Sequence, residues 1–295
     1  MGLIALQEGV TTPYRSIRCG GGFVNAPGDI RKCHGHPAPT NISIALQYSC
    51  NAYFFTLFKD LVNKYGFRDV ENGLDNFYTY LSNFGFGQKL TSEIDYEATG
   101  FIPNSAYYDN VYKNSPWYAT TIVSLGIGQG ELSMTTLQMA NLASILGNRG
   151  FYIQPHLLKQ IRNQATLPNP DFDRKKLVRI DPIHFGPIID GMAAVVTSGT
   201  ARMAQVPGVE ICGKTGTVQN PHGEDHSVFI AFAPRENPKI AIAVYVENAG
   251  GGGRTAAPVA GLLVERYLND TISVQKKPLE TQILNTDLIH KNARS

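Results

Sequence analysis

The sequence predicts an α+β domain in which helices pack on an antiparallel sheet. Three features carry that expectation. Apolar residues recur at helical spacing through much of the first 200 residues. Three strand-like segments then follow one another between 209 and 247, each a short apolar run bounded by turn residues. A last helical stripe at 255–269 closes the pattern. With 295 residues the chain has room for a sizeable core,.

The elements can be justified in order. Residues 11–40, rich in Gly, Pro and polar side chains, read as irregular loop,. From Thr40 a helix begins, with Thr40 or Asn41 available as N-cap,. After S-C-N at 49–51, Phe54, Phe58, Leu61 and Tyr65 line one face of a stronger helix, and Gly66 stops it,. Leu74, Phe77, Leu81 and Phe84 repeat the pattern before Gly85. The aromatic stretch 86–120, punctuated by Gly and Pro, reads as a long, partly ordered loop. S-L-G-I-G-Q-G-E-L-S at 124–133 is a Gly-rich turn running into a helix near 133–147. Residues 161–181, with Pro168 and Pro170, are polar and expected at the surface. Phe185, Ile188, Ile189, Met192, Val195 and Val196 then form a helical stripe that ends at Gly199. Strands are expected at roughly 209–219, 227–233 and 239–247, the last two forming a hairpin across P-R-E-N-P,. Residues 270–295 show neither period and read as a loose polar tail, which leaves 1–269 as the folded unit.

Composition excludes several functions. The net charge is +2 and no run of Lys or Arg forms a nucleic-acid footprint,. No apolar stretch approaches the ~18 residues that a membrane span needs. The opening M-G-L-I-A-L-Q-E-G-V lacks the basic leader of a signal peptide,. The expectation is a cytosolic protein or one whose N-terminal part is missing.

The chemistry is concentrated in two short motifs. In I-C-G-K-T-G-T-V-Q-N at 211–220, Lys214 at a strand edge, with hydroxyls at Thr215 and Thr217, suits an anionic carboxylate,. Gly216 removes a side chain that would block a ligand lying along the strand. The plain alternative is a charged residue at a strand end. The second motif, S-C-N, sits between two helical segments, so Ser49 and Asn51 can face one cleft. Its plain alternative is a pair of N-cap residues for the following helix.

Together the motifs match two of the three signatures of the penicillin-recognising serine enzymes, Ser-x-Asn and Lys-Thr-Gly, in the right order. The resemblance extends to S-L-G-I-G-Q-G-E-L-S-M-T-T-L-Q-M-A-N-L-A-S-I-L-G-N-R-G at 124–150, to G-M-A-A-V-V-T-S-G-T-A at 191–201 and to V-F-I-A-F-A-P at 228–234. The chain from about 1 to 268 resembles class B penicillin-binding proteins, most of all the elongation branch of penicillin-binding protein 2 type. The resemblance implies the penicillin-recognising serine transpeptidase fold and a peptidoglycan D,D-transpeptidase that β-lactams inhibit. A β-lactamase, a β-lactam sensor and a non-catalytic binding module are the alternatives.

The third signature, Ser-x-x-Lys, does not precede S-C-N. Its one occurrence, Ser273 to Lys276, follows Lys-Thr-Gly and is rejected on position. Residues 3–10 resemble the end of the helix that should carry it. The nucleophile, two strands and a membrane anchor are therefore expected upstream of Met1, and the chain alone is expected not to acylate.

The resemblance also assigns roles. Ser49 relays a proton to the leaving amine with help from Lys214. Asn51 bonds the substrate's acyl-side amide. Thr215, Gly216 and Thr217 form the rail for the terminal carboxylate, and the Thr217 N–H is one oxyanion donor. Partners implied are peptidoglycan stem peptides, β-lactams and a glycosyltransferase, at the periplasmic face of a bacterial inner membrane. The chemistry requires no cofactor.

Three of the four cysteines cluster early. Cys19, Cys33, His36 and Cys50 give C-x13-C-x2-H-x13-C, a set that suits tetrahedral structural zinc,. The resemblance also implies a metal in this loop, beside the second motif, in some elongation-branch relatives, though with other ligand types. A Cys19–Cys33 disulfide and buried free thiols are the competing readings, and His34 competes with His36. Cys212 reads as a small core residue.

Overall fold

A computed structural model describes residues 1–91, 93–113, 115–162 and 169–288. Helices α1 (Gly2–Gln7), α2 (Ile42–Gln47), α3 (Asn51–Val62) and α4 (Val70–Asn83) come first. A ribbon of β1 (Gly22–Ala26) and β2 (Asp29–Lys32) lies between α1 and α2. Then follow α5 (Ser105–Val111), α6 (Thr136–Gly147), the ribbon β3 (Phe151–Ile153) with β4 (Lys175–Leu177), and α7 (Phe185–Thr197). The meander β5 (Cys212–Val218), β6 (His226–Ala233) and β7 (Ile240–Val246) leads to α8 (Ala256–Asn269) and α9 (Lys277–Leu284). The expected α+β layout is present, with strand order β5-β6-β7, all antiparallel.

The meander is buried on both faces, and the period of two shows how. Phe229, Ala231 and Ala233 point into a core shared with Ala256, Ala257, Ala260 and Val264 of α8. Phe232 points the other way, into the larger core built on α1, α3, α4 and α6. Gly147 at the end of α6 lets that helix lie on the Phe232 ring, since an added Cβ would stand 3.2 Å from it. Helix α6 starts cleanly because Thr135 and Gln138 form a reciprocal capping box,. Helix α7 packs on β5 and on α2, linking the two halves of the cleft.

Several expectations need correction. The loop expected at 11–40 contains the β1–β2 ribbon, paired Gly22 to Lys32 and Val24 to Ile30. Its outward residues Val24 and Ile30 stay exposed, so alternation there does not track burial. Within 86–120, α5 forms because the Asn104 side chain accepts from Tyr107 N. The Gly-rich turn at 124–133 begins as a 3-10 turn, Val123–Ile127, which ends at Gly128 in the left-handed region. Of the stretch 161–181, residues 163–168, Pro168 among them, lie outside the described residues, and β4 lies in the remainder. The segment 270–295 is not a loose tail where it is described. A 3-10 turn (Val274–Lys276) and α9 follow α8 after a reversal at Asp270, whose φ is 55°, and 289–295 lie outside the described residues. No described helix is long and apolar enough to cross a membrane.

The Gly-rich segment before α8 lies directly against β5. A Cβ on Gly252 would run into the carbonyl oxygens of Val228 and Gly216, both backbone atoms that cannot swing aside. Gly252→Ala should therefore destabilise the fold by about 1–3 kcal/mol, as overpacked sites do. Urea unfolding measures this, and an unchanged midpoint would show that the segment has room to shift.

Candidate active-site cleft

The turn between α2 and α3 sets one wall of the cleft. Asn41 caps α2 through its side chain, and the chain then turns sharply, with Ser49 N bonded to Leu46 O and Cys50 N to Ala45 O. Ser49 holds φ at 55°, a conformation that non-glycine residues adopt at a cost of roughly 1–3 kcal/mol,. The expected alternative, Ser49 and Asn51 as caps of α3, does not hold. Cys50 is the N-cap, its Sγ accepting from Tyr53 N at 3.4 Å. Ser49 and Asn51 are thereby left to line the cavity.

The opposite wall is the free edge of β5. Register with β6 pairs Lys214 with Ile230 and Gly216 with Val228, and no described strand covers the other edge. Lys214 Nζ donates to Ser49 Oγ at 2.7 Å and to Thr215 O at 2.9 Å. Burial lowers its pKa from the ordinary 10.5 to about 8. The lysine and the two threonine hydroxyls are not in one row, because strand side chains alternate. Lys214 reaches the Ser49 turn. Thr215 Oγ1 instead shares a hydrogen bond of 2.8 Å with Thr200 Oγ1, and Thr217 Oγ1 accepts from Gly252 N at 3.4 Å. Gly216 is also tighter than expected: a Cβ there would sit 3.3 Å from Val228 Cβ, so contact with β6 constrains it.

Ser49, Asn51, Lys214, Thr215, Gly216 and Thr217 all line one cavity of about 1020 Å³. Its floor is apolar, with Phe54, Phe77 and Leu125 among the lining residues. Three contributors escaped the sequence reading. Gln129 Nε2 donates to Thr217 O at 3.5 Å, Thr200 braces Thr215, and Arg254 stands at the rim. Gln129 and Thr200 lie in the I-G-Q-G-E and S-G-T-A segments noted above, but nothing in a linear pattern says which strand they approach.

Beside the Ser49 turn, Cys19 Sγ, Cys33 Sγ, Cys50 Sγ and one His36 nitrogen all lie within 4.8 Å of one another. That is slightly looser than the ligand spacing of about 3.8 Å in a tetrahedron with bonds of about 2.3 Å. His36 Nδ1 is 2.7 Å from Pro37 O, an atom that can only accept, so Nδ1 carries the proton. Nε2 then turns a lone pair towards Cys33 Sγ, 3.3 Å away, the outer-shell arrangement usual for a ligating histidine. Burial, and the neighbouring Cys33 and Cys19, push the Cys50 thiol well up. Three sulfurs and an imidazole lone pair drawn together in this way are a donor set that fits a thiolate-binding metal,. His34 is elsewhere engaged, its Nε2 2.6 Å from Tyr48 O. All four cysteines are free thiols, and Cys212 is buried as expected.

The cluster and the cleft share a segment of chain. Cys33 Sγ accepts from Asn51 N at 3.3 Å, and Lys32 O accepts from Asn51 Nδ2 at 3.3 Å. The β2 end of the ribbon thus fixes the Asn51 amide from outside the cavity.

Comparison with known proteins agrees with this geometry. Residues 1–265 match the penicillin binding protein transpeptidase domain. The chain is 32% identical to the peptidoglycan D,D-transpeptidase MrdA of Haemophilus influenzae, over 92% of this chain and 44% of that protein. To MrdA of Acinetobacter baumannii it is 30% identical, over 88% and 39% respectively. Among solved structures it is similar to Pseudomonas aeruginosa PBP2 in complex with WCK 5153, with TM-score 0.76 and 30% identity, covering 93% of this chain and 59% of the other. The fold also matches Mycobacterium tuberculosis PBP3 complexed with aztreonam, with TM-score 0.70 and 22% identity, over 92% and 61%. The chain spans less than half the length of the two MrdA relatives. A match that runs through both cleft motifs and nearly the whole sequence establishes that the chain belongs to the penicillin-binding protein transpeptidase domain family, of the PBP2/MrdA type of class B.

Proposed function

We propose that this chain docks the donor stem peptide and relays the proton in a peptidoglycan D,D-transpeptidase, at the periplasmic face of the cell envelope. The observation that carries the proposal is the Lys214–Ser49 hydrogen bond of 2.7 Å across the cleft, beside an uncovered strand edge. A peptide ending in D-Ala-D-Ala lies antiparallel along β5, as an added strand. Its terminal carboxylate meets the Thr215 and Thr217 hydroxyls and the Lys214 cation. Asn51 bonds the acyl-side amide, and the Thr217 N–H stabilises the carbonyl oxygen as it becomes negative. Ser49 Oγ then passes a proton to the leaving D-Ala amine, and Lys214 replaces it through their hydrogen bond. β-Lactams occupy the same rail, and a glycosyltransferase of the elongation machinery is the proposed partner of the longer protein.

Lys214 gives the pH test its sign. Below its pKa of about 8 the amine is charged and attracts the carboxylate. As pH rises through that value the charge is lost, so affinity for a D-Ala-D-Ala peptide should fall above about pH 8. Lys214→Met should weaken binding by about tenfold or more at pH 7, the worth of a charged hydrogen bond, and flatten the pH profile. Titration of diacetyl-Lys-D-Ala-D-Ala followed by NMR measures both. Binding that ignores pH and Lys214→Met would refute donor docking on β5.

Acylation needs, in addition, a serine whose proton a nearby lysine removes. Ser273 and Lys276 are the one Ser-x-x-Lys pair in these 295 residues, and neither lines the cleft. The 295-residue chain should therefore form no covalent adduct with a fluorescent penicillin. A labelled band on a denaturing gel, lost when the chain is unfolded before incubation, would mean that another residue here serves as nucleophile.

We also propose that Cys19, Cys33, His36 and Cys50 hold one structural zinc ion, which would stiffen the turn carrying Ser49 and take no part in the acyl transfer. Elemental analysis of zinc-supplemented protein should give about one ion per chain, lost on Cys33→Ser. A value near zero, with a Cys19–Cys33 bond found by mass spectrometry, would assign the pair to a disulfide.

A further inference from the structure

Thr200 lines the cleft but takes no part in the peptide contacts proposed above. It follows α7, in a turn where Ser198 N bonds Ala194 O at 3.0 Å and Ala201 N bonds Val195 O at 2.9 Å. One side of the turn lies on the end of α2. There Ser198 Oγ accepts from Gln47 Nε2 at 2.9 Å, and a Cβ on Gly199 would stand 2.4 Å from Gln47 O. On the other side, a Cβ on Gly253 would stand 2.2 Å from Thr200 O. Thr200 is thus held between the helix end that leads into the Ser49 turn and the Gly-rich segment before α8. So held, its Oγ1 lies 2.8 Å from Thr215 Oγ1.

The hydrogens of that pair decide what Thr215 can offer a ligand. Each hydroxyl has one hydrogen and two lone pairs, so a single hydrogen joins the two oxygens. Either oxygen can be the donor, and among the described residues neither hydroxyl has a further hydrogen bond. A carboxylate removes the choice. It only accepts, so Thr215 must turn its own hydrogen to the ligand and take the hydrogen of Thr200. The order becomes Thr200 O–H to Thr215 O–H to carboxylate. Each donor in such a chain polarises the next, and the charged end makes the outer bond the strong one.

We propose that Thr200 is a positioning residue for the donor peptide's terminal carboxylate: its hydroxyl donates to Thr215 and so commits the Thr215 hydrogen to the ligand. This role rests on the docking along β5 proposed above. Thr200 works through Thr215 and carries no charge, so its effect adds to the attraction of Lys214 without changing the pH at which that attraction is lost. A peptide ending in a carboxamide presents a neutral oxygen and two N–H donors where the acid presents charged acceptors only. The amide gains less from the aligned chain, so Thr200 favours the free acid.

The test titrates the whole chain with diacetyl-Lys-D-Ala-D-Ala and with its C-terminal amide at pH 7, followed by NMR. Thr200→Val keeps the shape of the side chain without its hydroxyl. It should raise Kd for the acid about fivefold, the worth of one modest hydrogen bond, and narrow the preference for acid over amide. The fall in affinity above about pH 8 should remain, since Lys214 sets it. Thr200→Ser restores the hydroxyl and should bind within about twofold of wild type. In a Thr215→Val background, Thr200→Val should cost nothing further, because a residue that acts through Thr215 has no effect once that hydroxyl is gone. Thr200→Ala replaces the valine variant if circular dichroism shows it unfolded. A wild-type chain that binds the acid, with Kd unchanged in the folded Thr200 variant, would overturn the positioning role and leave docking intact. So would an equal loss in the Thr215→Val background, or Thr200→Ser binding as weakly as Thr200→Val. A wild-type chain that binds neither peptide would overturn docking on β5 and this role with it.

Discussion

The cleft depends on how one buried ammonium is held. Lys214 Nζ is bonded to a hydroxyl and a carbonyl, both neutral, and it forms no ion pair among the described residues. Neutral dipoles fix the position of the amine without cancelling its charge. Burial makes that charge costly, which is why its pKa falls,. A carboxylate beside it would have made the lysine more comfortable and the cleft blind to anions. Ser49 and Lys214 are 165 residues apart, and α7, packed on both α2 and β5, bridges the elements that bring the two atoms to 2.7 Å.

The large elements were legible because they are periodic. The stripes of α3, α4 and α7 and the apolar run of β6 each fill a core, so pattern and burial coincide. Short elements were not legible where burial and pattern part. The β1–β2 ribbon leaves Val24 and Ile30 in solvent. Helix α5 has seven residues and rests on the Asn104 cap, and α9 has no buried residue to announce it. The site shows the same division. Lys-Thr-Gly and Ser-Cys-Asn can be read because each is contiguous. Gln129 and Gly252 reach Thr217 from 88 and 35 residues away, and only the folded chain brings them to the strand.

The early cysteine cluster is more closely tied to the cleft than its spacing suggests. Cys50 lies between the two residues that face the cavity, and it caps α3 while its sulfur belongs to the cluster with Cys19, Cys33 and His36. Cys33 meets the same helix through Asn51 N. The loop from 19 to 36 has little core of its own: Val24, Ile30 and His34 are exposed, and Phe23 packs on Phe55 of α3. Its order is borrowed from α3, and any ion held there would act on the cleft through that helix.

Ser49 is constrained twice, once by its hydroxyl and once by its backbone. With φ at 55° it sits where a branched Cβ meets the most resistance,. Threonine offers the same oxygen to Lys214, yet its extra methyl is poorly tolerated in that conformation. Glycine or asparagine suits the backbone better but discards the hydroxyl. Drift at this position is therefore nearly closed: the substitutions that spare the chemistry strain the turn, and those that ease the turn remove the chemistry. A population under pressure to alter the cleft would find its freedom elsewhere, at rim positions such as Arg254, whose side chain is exposed.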